Sequence, residues 1–307
     1  MTVFHGFESP ATYRGGYVSI GNFDGVHRGH QAMLAALVGR AHEHRVSAVA
    51  MTFDPHPIEL LRPEAAPPRL TTIEHRVELL ESYGVDCVIV FPTSPRFLTM
   101  TAEDFFHTFV RTELQARGLV EGPNFYFGRN RSGSVTVLRG LCTNHQLTLD
   151  VIPPVIVDEQ LVSSSVIRSL IEAGEMTESV RLLGHPYRLS GTIGRGAQRG
   201  RLLGFPTANL TETRNMAPGH GVYAAAVTVN GKRYRAAVNV GPNPTFGESA
   251  TKIEAHLLDF AGDLYGQPLD VDFAHQIRKV RQFPSVEDLL TQLQHDIADV
   301  RRLIPIE

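Results

Sequence analysis

The chain has 307 residues, of which 42% are hydrophobic and 20% are charged, and its formal net charge is −3. This length corresponds to about two ordinary domains, and the apolar content is that of a folded protein, which excludes a disordered chain. The slightly acidic balance argues against the broad cationic surface that wraps nucleic acid or coats an anionic membrane, so we expect neither as a partner.

The first half of the chain alternates between strand and helix patterns. Short apolar runs at Tyr17–Ile20 and Val46–Phe53 predict buried strands, and the apolar residues between them recur at helical spacing. The alternation continues with a helix over Ile73–Tyr83, a strand over Cys87–Phe91, a helix over Ala102–Ala116 and a strand near Gly118–Glu121. Such repeats indicate a parallel sheet with helices on both faces, so the sequence up to residue 183 predicts a Rossmann-like α/β domain.

After residue 183 the pattern changes to short β-type runs separated by Gly and Pro. Tyr223–Val229 and Arg233–Val240 flank the pair Asn230-Gly231, which is typical of a type I′ hairpin turn. Several such strands predict a small antiparallel β-barrel. A terminal amphipathic helix follows, with Ser285 as N-cap and one apolar face: Leu289, Leu290, Leu293, Ile297, Val300 and Ile304.

The positions of the cysteines and lysines argue against several classes of binding site. Cys87 and Cys142 lie in apolar stretches without CxxC spacing, which argues against a disulfide framework or a zinc–thiolate site and fits a cytoplasmic protein. The only lysines are Lys232, Lys252 and Lys279, so a Walker A loop, which requires Gly-Lys-Ser/Thr, is excluded. We also expect no export signal and no membrane span, because no apolar run is long enough.

The first candidate site lies where a predicted strand leads into a helix. Residues 19–30 read Ser-Ile-Gly-Asn-Phe-Asp-Gly-Val-His-Arg-Gly-His. Small residues let a ligand approach the backbone, and free N–H groups at a helix N-terminus suit a phosphate. His27 and His30, three residues apart, can donate hydrogen bonds to charge that develops during nucleotidyl transfer. A metal site or a pair of surface histidines is the alternative that the spacing leaves open.

This segment resembles the His-x-Gly-His motif of bacterial bifunctional riboflavin kinase/FMN adenylyltransferases, also called prokaryotic FAD synthetases. The resemblance implies that His27 and His30 are catalytic in adenylyl transfer. It implies ATP contacts from the residues around them: Gly21, Asn22, Phe23, Asp24 and Gly29. Thr52–Pro57 and Asn124–Arg129 are similar to flavin-side motifs of the family, which implies flavin contacts from Asp54, His56, Asn124 and Phe125.

Residues 163–168 are similar to the family's Ser-Ser-Thr-x-Ile-Arg segment. The resemblance implies that this segment binds the ATP phosphates through Ser163, Ser164, Ser165 and Arg168. On chemical grounds, serine hydroxyls at a helix start with an arginine one turn later also suit an anion. The alternative is an ordinary serine cap on a Val166–Ala173 helix.

The second candidate site begins in a glycine-rich stretch. Residues 191–209 contain five glycines together with Arg195, Arg199 and Arg201, a composition that fits either an anion-binding loop or a surface hairpin. The stretch ends in residues 204–209, Gly-Phe-Pro-Thr-Ala-Asn, which closely resemble the Pro-Thr-Ala-Asn motif of riboflavin kinases. That resemblance implies Mg²⁺ held with the ATP phosphates by Thr207 and Asn209, both hard oxygen ligands.

Further residues complete the kinase site that the resemblance implies. Glu254, in an alternating strand-like segment, matches the family's catalytic base for the ribityl 5′-hydroxyl; a solvent-facing strand glutamate is the alternative. Nucleotide or flavin contacts are implied for Gly194, Gly204, Phe205, Pro206 and Arg278. Many relatives carry an acidic residue two positions after this arginine, where this chain has Val280, so the polar partner of Arg278 is left open.

The resemblance covers almost the whole chain and implies a cytoplasmic enzyme with two activities. Riboflavin and ATP would give FMN and ADP in a C-terminal barrel domain of residues 184–307. FMN and ATP would give FAD and pyrophosphate in an N-terminal nucleotidylyltransferase domain of residues 1–183. Three alternatives stay open: adenylyl transfer alone with the barrel as a flavin-binding module, a non-catalytic flavin or nucleotide sensor, and a different acceptor. The oligomeric state is not indicated.

Overall fold

The computed structural model of the protein describes residues 1–7, 11–195, 204–242, 245 and 250–306. Backbone contacts divide the chain into two compact units, one of residues 1–67 and 73–163 and the other of residues 68–72 and 164–307. Residues 164–183, which the sequence analysis assigns to the N-terminal domain, thus group with the barrel. The functional boundary at residue 183 stays a prediction.

The first unit is built on a six-stranded parallel sheet, as the strand–helix alternation predicts. The strand order is β1-β4-β3-β2-β5-β6, and every neighbouring pair is parallel. The strands are β1 Thr2–His5, β2 Tyr17–Ile20, β3 Ala48–Asp54, β4 Cys87–Pro92, β5 Gly118–Glu121 and β6 Thr148–Val151. Because apolar helices cover both faces, β2 is buried along its whole length.

Helices fill the crossovers of this sheet and bury one apolar core on each face. They are α1 Arg28–His44, α2 Pro57–Leu61, α3 Ile73–Ser82, α4 Pro95–Leu98, α5 Ala102–Phe105 and α6 Val135–Asn144. The predicted helix over 102–116 is not uniform: after α5 the backbone continues as a π-helix over Phe106–Glu113. A π-helix widens the turn, and here it buries Phe106, Phe109 and Val110. A hairpin of β7 Ile156–Val157 and β8 Gln160–Leu161 closes the unit.

The second unit contains a closed antiparallel barrel of six strands, in the order β10-β13-β12-β11-β14-β9. Its elements are α7 Ser164–Ala173, α8 Met176–Leu183, β9 Tyr187–Gly194, β10 Ala208–Thr211, β11 Gly221–Val229, β12 Lys232–Gly241, β13 Lys252–Leu257, β14 Pro268–Arg278 and α9 Val286–Leu303. The predicted hairpin turn is confirmed, since Asn230 and Gly231 both have positive φ, 50° and 76°, as a type I′ turn requires.

The terminal helix α9 begins as predicted but buries a different set of residues. The Ser285 hydroxyl accepts a hydrogen bond from the Asp288 N–H at 3.1 Å, which caps the helix. Val300 and, just beyond the helix, Ile304 pack on the barrel near Ala224. The other fully buried residue of α9 is Asp296, whereas the predicted apolar residues Leu289, Leu290 and Leu293 are half-buried.

Among the described residues, no helix is long and apolar enough to cross a membrane.

Candidate active sites

The N-terminal site lies at the carboxyl end of β2, in the centre of the sheet. The chain continues from β2 to β3 on one side, and β5 lies on the other, so the strand order reverses at this point. Ligands of open α/β sheets bind where the order reverses, because the loops that leave neighbouring strands in opposite directions open a crevice. The fold therefore places the segment from Gly21 to His30 where a ligand site is expected.

A strained turn carries the chain from β2 into α1. Phe23, Gly25 and Val26 have positive φ values of 48°, 83° and 35°, and the β-branched Val26 is costly in that conformation. Both Phe23 and Val26 are buried in the core beneath α1, which holds the turn in place. Strain that packing maintains in this way is common at functional sites.

His27 and His30 are brought together as a stacked pair. His27 is the N-cap of α1, and its Nδ1 accepts a hydrogen bond from the His30 N–H at 3.3 Å. The two rings are nearly parallel, with centroids 3.7 Å apart. A side chain at Gly29 would crowd this arrangement, because its Cβ would lie 3.1 Å from His27 Cε1. The structure therefore brings the two imidazoles together at the start of α1.

The surroundings of His30 favour its neutral form. Its Nδ1 is buried and has no hydrogen-bond partner among the described residues. Burial lowers the pKa of His30 well below its ordinary value, and the charges of His27 and Arg76 lower it further. A neutral imidazole still carries one N–H, so it can donate a hydrogen bond to a phosphate oxygen without adding a second positive charge to this buried site.

Arg76, on α3, is a site residue that sequence reasoning missed. Its side chain is 5% exposed, and Nη2 lies 3.2 Å from Oδ1 of the equally buried Asp24. Arg76 Nη1 also donates to the Thr52 hydroxyl at 3.3 Å, and that hydroxyl donates to the Asn22 carbonyl oxygen at 3.1 Å. These bonds tie α3 and β3 to the turn that carries the histidines. A charged residue within the apolar pattern of α3 is the signal that sequence analysis could have used.

Glu121, at the end of β5, is a second residue that was missed. Its side chain is fully buried, and Oε1 accepts a hydrogen bond from the Ile20 N–H at 2.8 Å. Backbone pairing of β2 with β5 covers Tyr17 and Val18, so this carboxyl group bridges the strands where they diverge. Oε2 has no partner among the described residues. Burial raises the pKa of Glu121 well above its ordinary value, which favours the neutral form of this carboxyl group.

The four flavin-side residues follow two strands of the same sheet. Asp54 ends β3, and His56 caps α2 by accepting a hydrogen bond from the Ile58 N–H at 3.1 Å. Asn124 and Phe125 lie in the loop after β5, where Asn124 is exposed. The Phe125 ring stacks on Phe127 with centroids 5.3 Å apart, at the edge of an aromatic core. Carboxyl ends of parallel strands share one edge of the sheet, so both pairs lie along the same edge.

The serine segment is divided between the two units. Ser163 ends the first unit, and the residue before it, Val162, places its carbonyl oxygen 3.8 Å from where a Cβ of Gly29 would stand. The remaining predicted phosphate ligands, Ser164, Ser165 and Arg168, belong to the second unit and to α7. Within that unit, Arg168 Nε donates to the Pro68 carbonyl oxygen at 2.7 Å.

The barrel aligns four of the eight predicted kinase residues in one row across its strands. Each residue of the row stands opposite the next in the register: Gly194, Asn209, Glu254, Asn239, Val222 and Arg278. Directly opposite residues of antiparallel strands point to the same face. Residues far apart in the sequence therefore meet on one face of the barrel, and Asn239 joins them although no role was predicted for it.

The magnesium ligands implied by the resemblance lie at the start of β10. Asn209 is half-buried and stands opposite Glu254, and Thr207 lies two residues before it, directly before the strand begins. His256 supports this segment, because its Nδ1 lies 2.7 Å from the Pro206 carbonyl oxygen and its ring meets Phe205 edge-on at 5.7 Å. A hydroxyl and an amide oxygen beside a carboxylate form a donor set that fits Mg²⁺.

The glycine-rich stretch of the predicted kinase site is described only in part. Residues 196–203 of the glycine-rich stretch lie outside the described residues; Gly194 and Gly204 flank them, and Gly204 has a φ of 83°.

The partner of Arg278, which the sequence left open, lies on α9, since Arg278 Nη2 lies 2.8 Å from Oδ2 of Asp296. The acidic partner thus comes from a distant helix and not from the position that Val280 occupies.

Comparison with known proteins identifies a family for both parts of the chain. A FAD synthetase family model matches residues 9–166, and a riboflavin kinase family model matches residues 183–304. A bifunctional riboflavin kinase/FMN adenylyltransferase from Pseudomonas fluorescens is 37% identical, over 95% of this chain and 94% of its own length. This chain belongs to the bifunctional riboflavin kinase/FMN adenylyltransferase family. It is therefore a transferase, and the predicted family is confirmed.

Other members and neighbours extend the similarity. The bifunctional riboflavin kinase/FMN adenylyltransferase of Escherichia coli strain K12 is 34% identical over 94% of this chain and 92% of its own. A crystal structure described as a macrolide-efflux protein from Streptococcus pneumoniae has a TM-score of 0.83 and 30% identity. The structural similarity covers 96% of this chain and 95% of that protein. The two-unit fold of this family member is thus shared along nearly its full length.

Proposed function

We propose that this chain makes FAD from riboflavin in two ATP-dependent steps, each in its own domain. The N-terminal domain, residues 1–183, transfers the adenylyl group, and the C-terminal domain, residues 184–307, phosphorylates riboflavin. The observation that carries the proposal is the barrel row that aligns Glu254 with Asn209, in the same chain as the stacked His27/His30 pair at the reversal point of the sheet. The substrates are small molecules, namely ATP, riboflavin and FMN, and we place the enzyme in the cytoplasm with no nucleic-acid or membrane partner.

In the kinase step, the ribityl 5′-hydroxyl attacks the γ-phosphate of ATP. Glu254 accepts the proton of that hydroxyl, and ADP leaves as the phosphate–oxygen bond of FMN forms. Thr207 and Asn209 would hold Mg²⁺, which neutralises the charge of the ATP phosphates. Gly194 and the Gly204–Pro206 segment line the nucleotide and flavin positions, and Arg278 contacts the flavin end of the site.

In the adenylyl-transfer step, a phosphate oxygen of FMN attacks the α-phosphate of ATP and pyrophosphate leaves. His27 and His30 donate hydrogen bonds to the phosphate oxygens as negative charge moves toward pyrophosphate. ATP lies against the backbone of residues 21–24 and Gly29, and its phosphates are held by Ser163, Ser164, Ser165 and Arg168. Flavin contacts come from Asp54, His56, Asn124 and Phe125.

A time course tests both steps together. The purified full-length protein is incubated with riboflavin, ATP and Mg²⁺, and the three flavins are separated chromatographically. We expect FMN to appear first and FAD to follow. Accumulation of FMN without FAD would contradict the roles of His27 and His30. Untouched riboflavin, with added FMN still converted to FAD, would favour the alternative in which the barrel only binds flavin.

A further inference from the structure

The terminal helix α9 buries a carboxylate where an amphipathic helix normally buries an apolar side chain. The Asp296 side chain is 1% exposed, whereas Asp299, one turn further along the same helix, is 41% exposed. Burying a carboxylate is costly unless the charge is paired and both oxygens accept hydrogen bonds. The side chains that pair with Asp296 therefore indicate why it is buried.

Arg278, the last residue of β14, meets this carboxylate with a two-pronged contact. Its Nε lies 3.0 Å from Oδ1 and 3.1 Å from Oδ2 of Asp296, and its Nη2 donates to Oδ2 at 2.8 Å. Nη1 donates to the Lys279 carbonyl oxygen at 3.2 Å. A guanidinium group whose three nitrogens all donate hydrogen bonds is fixed in one orientation. These contacts leave one N–H on each Nη nitrogen, and such donors suit a carbonyl oxygen of a flavin ring.

The ion pair is the centre of a larger network. Gln292, one turn before Asp296, donates to its Oδ1 at 2.9 Å and accepts a hydrogen bond from Arg281 at 2.7 Å. The Phe283 ring lies under both guanidinium groups, 5.5 Å from that of Arg278 and 4.8 Å from that of Arg281. The segment between β14 and α9 is thus hydrogen-bonded to α9 through Arg281 and Gln292, next to the ion pair of Arg278 and Asp296.

The position of Arg278 in the barrel links this network to the kinase site. Arg278 belongs to the register row of Glu254, three strands away from it. Three inter-strand spacings correspond to roughly 14 Å along the barrel surface, comparable with a flavin ring plus an extended ribityl chain. A molecule whose 5′-hydroxyl lies at Glu254 can therefore reach Arg278 with its ring.

Stability alone does not account for such a pair. A buried ion pair contributes little more than well-packed apolar residues of the same volume, but it defines the orientation of both groups. Because Val280 supplies no carboxylate to Arg278, the orientation of its guanidinium depends on α9.

We propose that Asp296 is a positioning residue of the kinase site, which acts by orienting the Arg278 guanidinium toward riboflavin. The inference rests on the proposed kinase function. It assigns to α9 a part in riboflavin affinity and none in adenylyl transfer.

The test compares Asp296→Asn with Asp299→Asn, the same change at an exposed position of the same helix. For Asp296→Asn we expect the KM for riboflavin to rise about tenfold or more, because one partner of a buried charge pair is lost. The KM for ATP in the kinase step and the conversion of added FMN to FAD should stay within about twofold of the parent, because Asp296 acts only through Arg278. Asp299→Asn should match the parent in all three measurements.

Two further variants separate positioning from folding. In an Arg278→Gln background, Asp296→Asn should change the KM for riboflavin no further, since the residue it orients is gone. If Asp296→Asn gives no folded protein, Asp296→Glu replaces it: the charge is kept, but the longer side chain cannot retain both contacts, and the KM for riboflavin should still rise.

The outcomes are distinct. A parent protein that leaves riboflavin unphosphorylated refutes the proposed kinase function itself. An active parent whose Asp296 variants retain the parental KM for riboflavin overturns the positioning role. So does an effect that is fully additive with Arg278→Gln, or a loss that appears equally in the kinase and adenylyl-transfer activities.

Discussion

The two candidate sites are built in different ways. The N-terminal site sits on a strained turn whose side chains are buried and whose charges are paired inside the domain, as in Arg76 with Asp24. The barrel site lies on half-buried positions of one strand row, with Asn209 opposite Glu254. In the first site, burial shifts the pKa values of His30 and Glu121 toward their neutral forms. In the second, strand register decides which groups meet, so the two sites should respond differently to substitution.

The largest effect is expected at the barrel site. Glu254→Gln should lower riboflavin phosphorylation by about 10²–10⁴-fold, the usual contribution of a general base, while FMN is still converted to FAD. The matched control is Asp270→Asn, a carboxylate on the exposed side of β14. Rates of FMN formation at saturating ATP and riboflavin measure the effect. Undiminished FMN production by the Glu254 variant would remove this residue from the proposed chemistry.

The reciprocal change is His30→Ala in the N-terminal site. FAD formation from added FMN should fall by about 10²–10³-fold, as expected when a donor to developing charge is removed. Riboflavin phosphorylation should persist. His42→Ala, an exposed histidine on the same helix, serves as the control. If the two alanine variants formed FAD equally fast, the stacked pair would not be the adenylyl-transfer site.

The next effect compares a buried ion pair with an exposed one. Arg76→Gln leaves Asp24 buried without its cation and should cost about 3–5 kcal/mol of stability in the first unit. Arg40→Gln should cost much less, although Arg40 Nε lies only 2.7 Å from Asp150 Oδ2, because water solvates both charges when the pair is broken. Urea unfolding, followed by circular dichroism, measures the two losses. Equal losses would mean that burial does not set the strength of these pairs.

The smallest effect concerns Glu121 and has a pH dependence. The folded protein retains the proton of this buried carboxyl group, whereas the unfolded chain releases it above a pKa of about 4.3, so stability from this group falls as the pH rises through that value toward the raised folded pKa. Glu121→Gln removes the titration, so its Tm should rise relative to that of the parent as the pH increases above about 4.3. The exposed Glu103→Gln should show no such gain. A Tm difference that stays constant above this pH would contradict a raised pKa of Glu121.

Local patterns predicted much of this architecture. Tyr17–Ile20, Gly118–Glu121 and the hairpin at Asn230-Gly231 are as expected, because strand burial and turn conformation depend on neighbouring residues. The helix over 102–116 was only partly right, since its π-helical continuation depends on the packing of Phe106 and Phe109. The prediction of the apolar face of α9 was partly wrong for a similar reason, because the ion pair with Arg278 on β14 places Asp296 on the buried side of the helix.

By itself, the amino-acid sequence determined the family of this protein and the residues that form its two motifs, since those motifs are short and contiguous. Only the tertiary structure decided the lowered pKa of His30, the pairing of Asp24 with Arg76 and the partner of Arg278. Each of these depends on burial or on groups that lie far apart along the chain. Electrostatic interactions depend on distance and solvent exposure, which local sequence patterns do not specify.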